Sequence, residues 1–219
     1  HTKLVLISTA LLISVGALLF FAFEYTNTLG NMNLATKGMN SLFCSITPRT
    51  AGFNSVDTGA LTSQSKMLTV ILMFIGGSSG STAGGVKTTT IAVLILCVVA
   101  TTRNKESVDA FDRRINLDTV KSAVSVVCIN FMEILTGVIL ISFIQNEFSL
   151  IDIIFECASA MGTVGMSTGI TPELNTASKA VIIVLMYIGR LTSVIFALSF
   201  VAAKPKITTQ KPKGRVMVG

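Results

Sequence analysis

Two short stretches, Thr50-Ala51-Gly52-Phe53 and Thr163-Val164-Gly165-Met166, mark an internal repeat. When the chain is aligned with itself so that Thr50 falls on Thr163, ten of the 27 positions from 50 to 76 are identical, without a gap. Self-similarity at a fixed period is typical of a fold built from similar structural units. The sequence therefore predicts two tandem units of one architecture.

Long apolar runs surround these stretches. Hydrophobic residues make up 51% of the 219-residue chain and charged residues only 13%, with a mean hydropathy of +0.73. Residues 4–23, 119–144 and 181–203 each approach or exceed the roughly 20 residues that cross a bilayer. A signal peptide does not explain the first run, because no cleavage site follows it and two more runs come later. We predict an all-α integral membrane protein with several spans.

Basic residues are concentrated at two places along the chain. One cluster surrounds the 103–118 connection and the other occupies the 204–219 tail. Loops rich in Lys and Arg stay in the cytoplasm, so we predict that both segments, including the C-terminus, lie inside. Residues 24–66 and 145–179 then face outward. Nucleic-acid binding is the other explanation of basic clusters, but membrane runs flank these, so we expect no nucleic-acid partner.

Each unit contains an apolar segment that is too short to cross the membrane. Residues 38–48 and 151–162 follow the first helix of their units and precede the repeated stretches. Since both of their ends must lie outside, the segments must be re-entrant. Irregular backbone at that depth survives only inside protein or along an aqueous path. The predicted boundaries are a pore unit at 1–102, the connection 103–118, a second pore unit at 119–203 and the tail 204–219.

The repeated stretches have the residue types of a potassium filter. Thr163-Val164-Gly165-Met166 differs at one residue from Thr-Val-Gly-Tyr, in which backbone carbonyls replace the hydration shell of K⁺. Glycine permits the backbone angles that aim those carbonyls. A single Thr-x-Gly is more often a packing turn, whereas two at equivalent repeat positions favour a filter. The predicted K⁺ ligands, with no other metal site expected, are Thr50, Ala51, Gly52, Phe53, Thr163, Val164, Gly165 and Met166.

Two longer motifs around these stretches resemble those of a known family. Residues 45–54, Ser-Ile-Thr-Pro-Arg-Thr-Ala-Gly-Phe-Asn, resemble the third filter of the Ktr/Trk/HKT potassium transporters, and residues 162–169 resemble the fourth. The resemblance covers nearly the whole chain. It implies four units around one pseudo-tetrameric pore, of which this chain holds half. Because the first residue is His1 rather than Met, we expect the N-terminal half to lie outside this sequence.

The resemblance also implies a cellular setting. It places the protein in a bacterial plasma membrane as a homodimer, with a cytoplasmic ring of nucleotide-binding regulatory subunits beside the 103–118 connection. K⁺ is the transported ion and Na⁺ a coupling or activating ion, as in symport. No enzymatic activity and no cofactor of this chain is expected.

A glycine-rich loop at residues 76–85 interrupts the apolar stretch that follows the first repeated motif. Five glycines in ten positions do not sustain a helix, at about 1 kcal/mol each relative to alanine. A nucleotide-binding P-loop is one interpretation, but Val86 stands where the pattern demands Lys. A passive kink or close helix packing is another. The resemblance implies a gating loop, formed by Gly76, Gly77, Ser78, Ser79, Gly80, Gly84 and Gly85.

Three charged residues fall in apolar surroundings. Arg190 occupies the repeat position of Gly77, and an arginine at that depth needs partners in the protein interior. The resemblance implies that Arg190 belongs to the gate. The alternative interpretation is a structural arginine or one that snorkels to the membrane surface. Lys87 either anchors the loop or lies at an inner vestibule, and Glu133 is structural or, less favoured, ion-binding. The four cysteines are interpreted as small buried hydrophobes.

The sequence thus predicts a potassium uptake channel or transporter subunit with a carbonyl filter and a glycine-rich intramembrane gate. The alternative is the potassium-binding pore subunit of an ATP-driven pump, which has the same pore architecture. A membrane protein without a transport role is disfavoured by the paired filter motifs.

Overall fold

The computed structural model describes residues 2–201, apart from Thr82, Glu106 and Asp112. For Arg113 and residues 192–201 it describes the backbone alone. The predicted basic tail at 204–219 lies outside the described residues.

Helices dominate the described chain. The first unit consists of α1 (Thr2–Glu24), α2 (Leu34–Ile46), α3 (Ser63–Phe74) and α4 (Thr88–Thr102). An antiparallel hairpin of β1 (Asp109–Ala110) and β2 (Arg113–Arg114) lies in the connection. The second unit consists of α5 (Leu117–Ile144), α6 (Leu150–Met161), a 3-10 turn (Thr171–Glu173) and α7 (Thr176–Val201).

Helix lengths separate spanning from re-entrant elements. Among the described residues, α1 and α5 are long and apolar enough to cross a membrane, with 23 and 28 residues. Their apolar side chains are largely exposed, as Leu18 at 70% and Phe143 at 89% illustrate. By contrast, α2 and α6 have 13 and 12 residues, which is about 20 Å of helix against a hydrocarbon core of about 30 Å. They are too short to span the bilayer.

The repeat seen in the sequence is also a repeat in structure. α3 begins at Ser63 and α7 at Thr176, which are equivalent positions when Thr50 is aligned with Thr163. Each start is capped by the preceding residue: Thr62 Oγ1 accepts from the Ser65 N–H, and Asn175 Oδ1 accepts from the Ser178 N–H. Such caps satisfy the unpaired N–H groups of a first helical turn. The predicted tandem architecture is confirmed.

The two units pack together through α3 and α6. A buried cluster at this contact joins Met73 of α3 to Phe155 and Ala158 of α6, and it includes Val164 and Met166. Nearby, Lys66 Nζ forms an ion pair with Asp152 at 2.8 Å. The second repeated stretch is therefore set into the interface between the units.

The four cysteines differ in burial. Cys44 and Cys157 are buried and free, as predicted for small core residues. Cys97 is half-buried and Cys128 is exposed on α5, so the prediction is wrong for Cys128. An apolar helix that faces outward presents its cysteine there too, and hydrophobic sequence alone does not reveal which face is turned inward.

Candidate functional site

The backbone of the two repeated stretches, hereafter the Thr-Gly segments 50–53 and 163–166, alternates in the sign of φ. Thr50 and Gly52 have φ of 71° and 77°, and Thr163 and Gly165 have 52° and 89°. Positive φ is unusual for a β-branched residue and costs about 1–3 kcal/mol. Alternating signs turn successive peptide carbonyls toward one side of the strand. The same costly pattern at equivalent repeat positions marks both segments as candidate functional backbone.

The two Thr-Gly segments meet each other directly. A Cβ atom added to Gly52 would overlap the carbonyl oxygen of Val164 and lie 3.7 Å from the Cα atom of Gly165. Only glycine allows this approach. A Cβ at Gly165, in contrast, would meet no atom within 4 Å. The segments thus lie side by side, with open space beside Gly165.

Hydroxyl groups at the end of α2 and in α6 hold the C-terminal ends of the segments. Thr47 Oγ1 donates to the carbonyl of Phe53 at 2.6 Å and accepts from its N–H at 3.0 Å. Ser159 Oγ donates to the carbonyl of Met166 at 2.5 Å. Of the predicted ligands, Phe53 and Met166 therefore direct their carbonyls back toward the protein. Ala51 and Phe53 are exposed, whereas Val164 and Met166 are buried.

The glycine-rich loop connects α3 to α4. Two backbone hydrogen bonds join the ends of the loop: the N–H of Val86 donates to the carbonyl of Phe74, and the N–H of Thr88 donates to the carbonyl of Gly77. A helix precedes the loop, whereas a P-loop follows a strand, so the nucleotide interpretation lacks its structural context. Gly76, Gly77 and Gly84 are buried, Ser78 is half-buried, and Ser79 and Gly80 are exposed. Gly80 and Gly85 have positive φ.

The loop touches the second Thr-Gly segment. The N–H of Gly84 donates to Thr163 Oγ1 at 3.1 Å. A Cβ atom at Gly84 would lie 2.5 Å from that hydroxyl oxygen and 2.6 Å from the carbonyl oxygen of Gly162. Any residue larger than glycine at position 84 would push the loop and the segment apart.

Two cations lie beside the loop. Lys87 Nζ donates to the carbonyls of Ser81, at 3.2 Å, and Ala83, so of its two predicted roles it anchors the loop. Arg190 lies close enough to Lys87 for their charges to interact. It is exposed on α7, which is helical through this position, and it lines a groove of about 850 Å³ along the second Thr-Gly segment.

Comparison with known proteins identifies the family of this chain. The family model for TrkH, a cation transport protein, matches residues 2–209. The chain belongs to the TrkH family. It is 39% identical over its whole length to the Ktr system potassium uptake protein B of Bacillus subtilis, covering 49% of that protein. It is 37% identical to the potassium/sodium uptake protein NtpJ of Enterococcus hirae, covering 50%.

The solved structure of the potassium transporter TrkH from Vibrio parahaemolyticus shares the fold. The TM-score is 0.66 at 18% identity, over 90% of this chain and 43% of that one. The predicted family and the predicted all-α membrane fold are confirmed. The chain spans about half the length of the relatives it matches.

Two carboxylates missed by the sequence analysis organise connecting loops in this TrkH-family half. Glu24, at the end of α1, is 1% exposed and accepts from Asn27, Thr28 and Thr62. Glu156, in α6, is 5% exposed and accepts from the loop beyond the second Thr-Gly segment. A lone acid in or at the end of an apolar helix, followed by Ser and Thr residues, is the signal that identifies such sites, because a buried carboxylate needs donors.

Glu133 lies apart from the Thr-Gly segments and the glycine-rich loop. It lines an apolar cavity of about 440 Å³ between α5 and α7, and its Oε2 has no hydrogen-bond partner among the described residues. None of the residues that line this cavity belongs to a Thr-Gly segment. The geometry favours the structural interpretation over an ion ligand.

Proposed function

We propose that this chain is half of a potassium uptake channel or transporter subunit, and that K⁺ passes along the two Thr-Gly segments. The alternating positive φ values at equivalent positions carry this proposal. Carbonyls turned to one side can replace the water around K⁺, as in other potassium filters. The close approach of Gly52 to Val164 supports a shared path. The ligands that fit are carbonyls of Thr50, Ala51, Gly52, Thr163, Val164 and Gly165.

The gate in this proposal consists of the glycine-rich loop with Lys87 and Arg190. The contact of Gly84 with Thr163 supports it, because it places the loop against the predicted filter. The neighbouring charges of Lys87 and Arg190 repel a cation that leaves the segment on that side. Withdrawal of the loop would open the path, so the loop acts as a barrier that regulation can move.

The rest of the assembly is part of the same proposal. The missing half supplies two further pore units, since the chain spans half of its relatives. A bacterial plasma membrane, an inward C-terminus, a homodimer and a cytoplasmic nucleotide-binding ring complete it, with Na⁺ as a coupling or activating ion and no enzymatic step. The relatives reported above are named for uptake and transport, which favours this function over a pump subunit.

Growth rescue tests the proposal. The full-length gene that contains this chain is expressed in cells that lack potassium uptake, and growth is followed as external K⁺ is lowered. We expect rescue at low K⁺ by the wild-type gene and its loss when Gly52 and Gly165 are both replaced by serine, at equal protein level. Growth unaffected by the double replacement would refute a filter built from these segments.

A further inference from the structure

Glu156 is a buried carboxylate with four hydrogen bonds to one loop. Its Oε1 accepts from Ser167 Oγ at 2.7 Å, from the Thr168 N–H at 2.9 Å and from Thr168 Oγ1 at 3.3 Å. Its Oε2 accepts from Thr171 Oγ1 at 2.6 Å. A buried charge is tolerated only when donors satisfy it in this way. Glu156 thereby fastens the loop to α6 through both of its carboxylate oxygens.

These bonds begin at the residue that follows the second Thr-Gly segment. Ser159 holds the carbonyl of Met166, and Glu156 holds the next two residues. Gly165 lies just before them, and the space beside it is open. Since no described residue packs beside the Cα atom of Gly165, its fastened neighbours are the groups that fix where its carbonyl points.

The first unit has no counterpart to this carboxylate. The position equivalent to Glu156 is Phe43, which is 39% exposed, so the first segment is held by the neutral Thr47 hydroxyl and by a weak contact of Cys44 Sγ with Ser55 Oγ at 3.9 Å. The stronger fastening therefore belongs to the second unit alone. An acceptor that carries a charge makes shorter and stronger hydrogen bonds than a neutral one.

We propose that Glu156 is a positioning residue that sets the discrimination between K⁺ and Na⁺ at the second Thr-Gly segment. The inference rests on the proposed function. A smaller Na⁺ is disfavoured only if the carbonyls do not close in around it, and the Glu156 network restrains that movement at the outer end. Loss of the network should let the segment adapt to either ion.

The test compares K⁺ and Na⁺ uptake by the full-length protein and its variants, at matched protein level. Glu156→Ala should lower the ratio of K⁺ to Na⁺ uptake about tenfold or more, because it removes four hydrogen bonds and even one bond to a charged group is worth about 1.5–3 kcal/mol. Glu156→Gln should lower the ratio less than Glu156→Ala does, because an amide oxygen still accepts from Ser167 and Thr168 but without the negative charge. Glu173→Ala, which removes an exposed acid from the same outer loop, is the control and should change nothing.

A double variant removes two of the hydrogen-bond donors and keeps Glu156. Ser167→Ala with Thr171→Val should shift the ratio in the same direction, which tests the network even if Glu156→Ala does not fold. An unchanged ratio in the well-folded variants, or equal losses of both ions, would overturn the positioning role. If the wild-type protein moves no K⁺, the proposed function itself fails. If the wild-type protein moves K⁺ but the variants have the same ratio of K⁺ to Na⁺ uptake as the wild type, only the Glu156 inference fails.

Discussion

Replacing Gly84 by alanine puts a methyl group where the structure has no room for one. The new Cβ atom would lie 2.5 Å from Thr163 Oγ1, 2.6 Å from the carbonyl oxygen of Gly162 and 2.9 Å from its carbonyl carbon. Two of these neighbours are backbone atoms of a buried residue, which cannot rotate away. The loop must therefore withdraw from the second Thr-Gly segment.

The size of the effect follows from the overlap that the alanine methyl group introduces. Forcing a methyl group into a packed site costs about 1–3 kcal/mol. The hydrogen bond from the Gly84 N–H to Thr163, worth about 1 kcal/mol, is absent from the withdrawn state of both proteins and so adds nothing to this difference. Each 1.4 kcal/mol changes a population ratio tenfold, so the withdrawn state should gain about five- to 150-fold over the closed one.

Potassium uptake measures the consequence. In cells that lack their own uptake systems, Gly84→Ala in the full-length protein should raise the K⁺ flux at matched protein level. Gly38→Ala is the matched control, because a Cβ at this position in α2 meets no atom within 4 Å. A well-folded Gly84→Ala protein with flux equal to or below the wild type would refute a barrier formed by this contact.

Three further predictions concern other contacts. Gly52→Ser should reduce the preference for K⁺ over Na⁺ more than Gly165→Ser does, because only Gly52 faces a carbonyl at close range; equal effects in uptake assays would contradict the facing arrangement. Arg190→Ala should raise K⁺ flux, and a folded variant with unchanged or lower flux would remove Arg190 from the barrier. Lys66→Ala and Asp152→Ala should each lower thermal stability in detergent, with a coupling of about 1 kcal/mol in the double variant, whereas additive losses would show that the pair contributes nothing.

The tandem units were predictable from the sequence because they depend on local patterns. Apolar run length distinguishes spanning from re-entrant helices, and the alignment of Thr50 with Thr163 gives the equivalence of the units. The same alignment relates the start of α3 at Ser63 to the start of α7 at Thr176. Both kinds of signal lie within one element or one repeat, so no knowledge of tertiary contacts was required.

The backbone of the Thr-Gly segments was only partly predictable. The sequence indicated that Gly52 and Gly165 take unusual angles, but Thr50 and Thr163 also have positive φ. Nothing local favours this for threonine, which is β-branched. Contacts between distant residues surround it, such as the one from Gly84 to Thr163, 79 positions apart. The sequence does not reveal which loop meets which segment.

Glu156 was missed for a related reason. It lies in an apolar helix, and its partners are 11 to 15 residues further along the chain, beyond the Thr-Gly segment. Periodicity shows which residues share a helix face, but it does not show that a following loop folds back over that face. The burial cost of a carboxylate was the signal available from the sequence.

The most direct test of a potassium path along the two Thr-Gly segments is to locate the ion. A crystal structure of the full-length protein with Tl⁺ in place of K⁺ would show the bound ion by its anomalous scattering. We predict a peak beside Ala51 and Gly52 on one side and Val164 and Gly165 on the other, within carbonyl coordination distance of both segments. A fully occupied Tl⁺ site elsewhere in the protein, with none between the segments, would contradict the account.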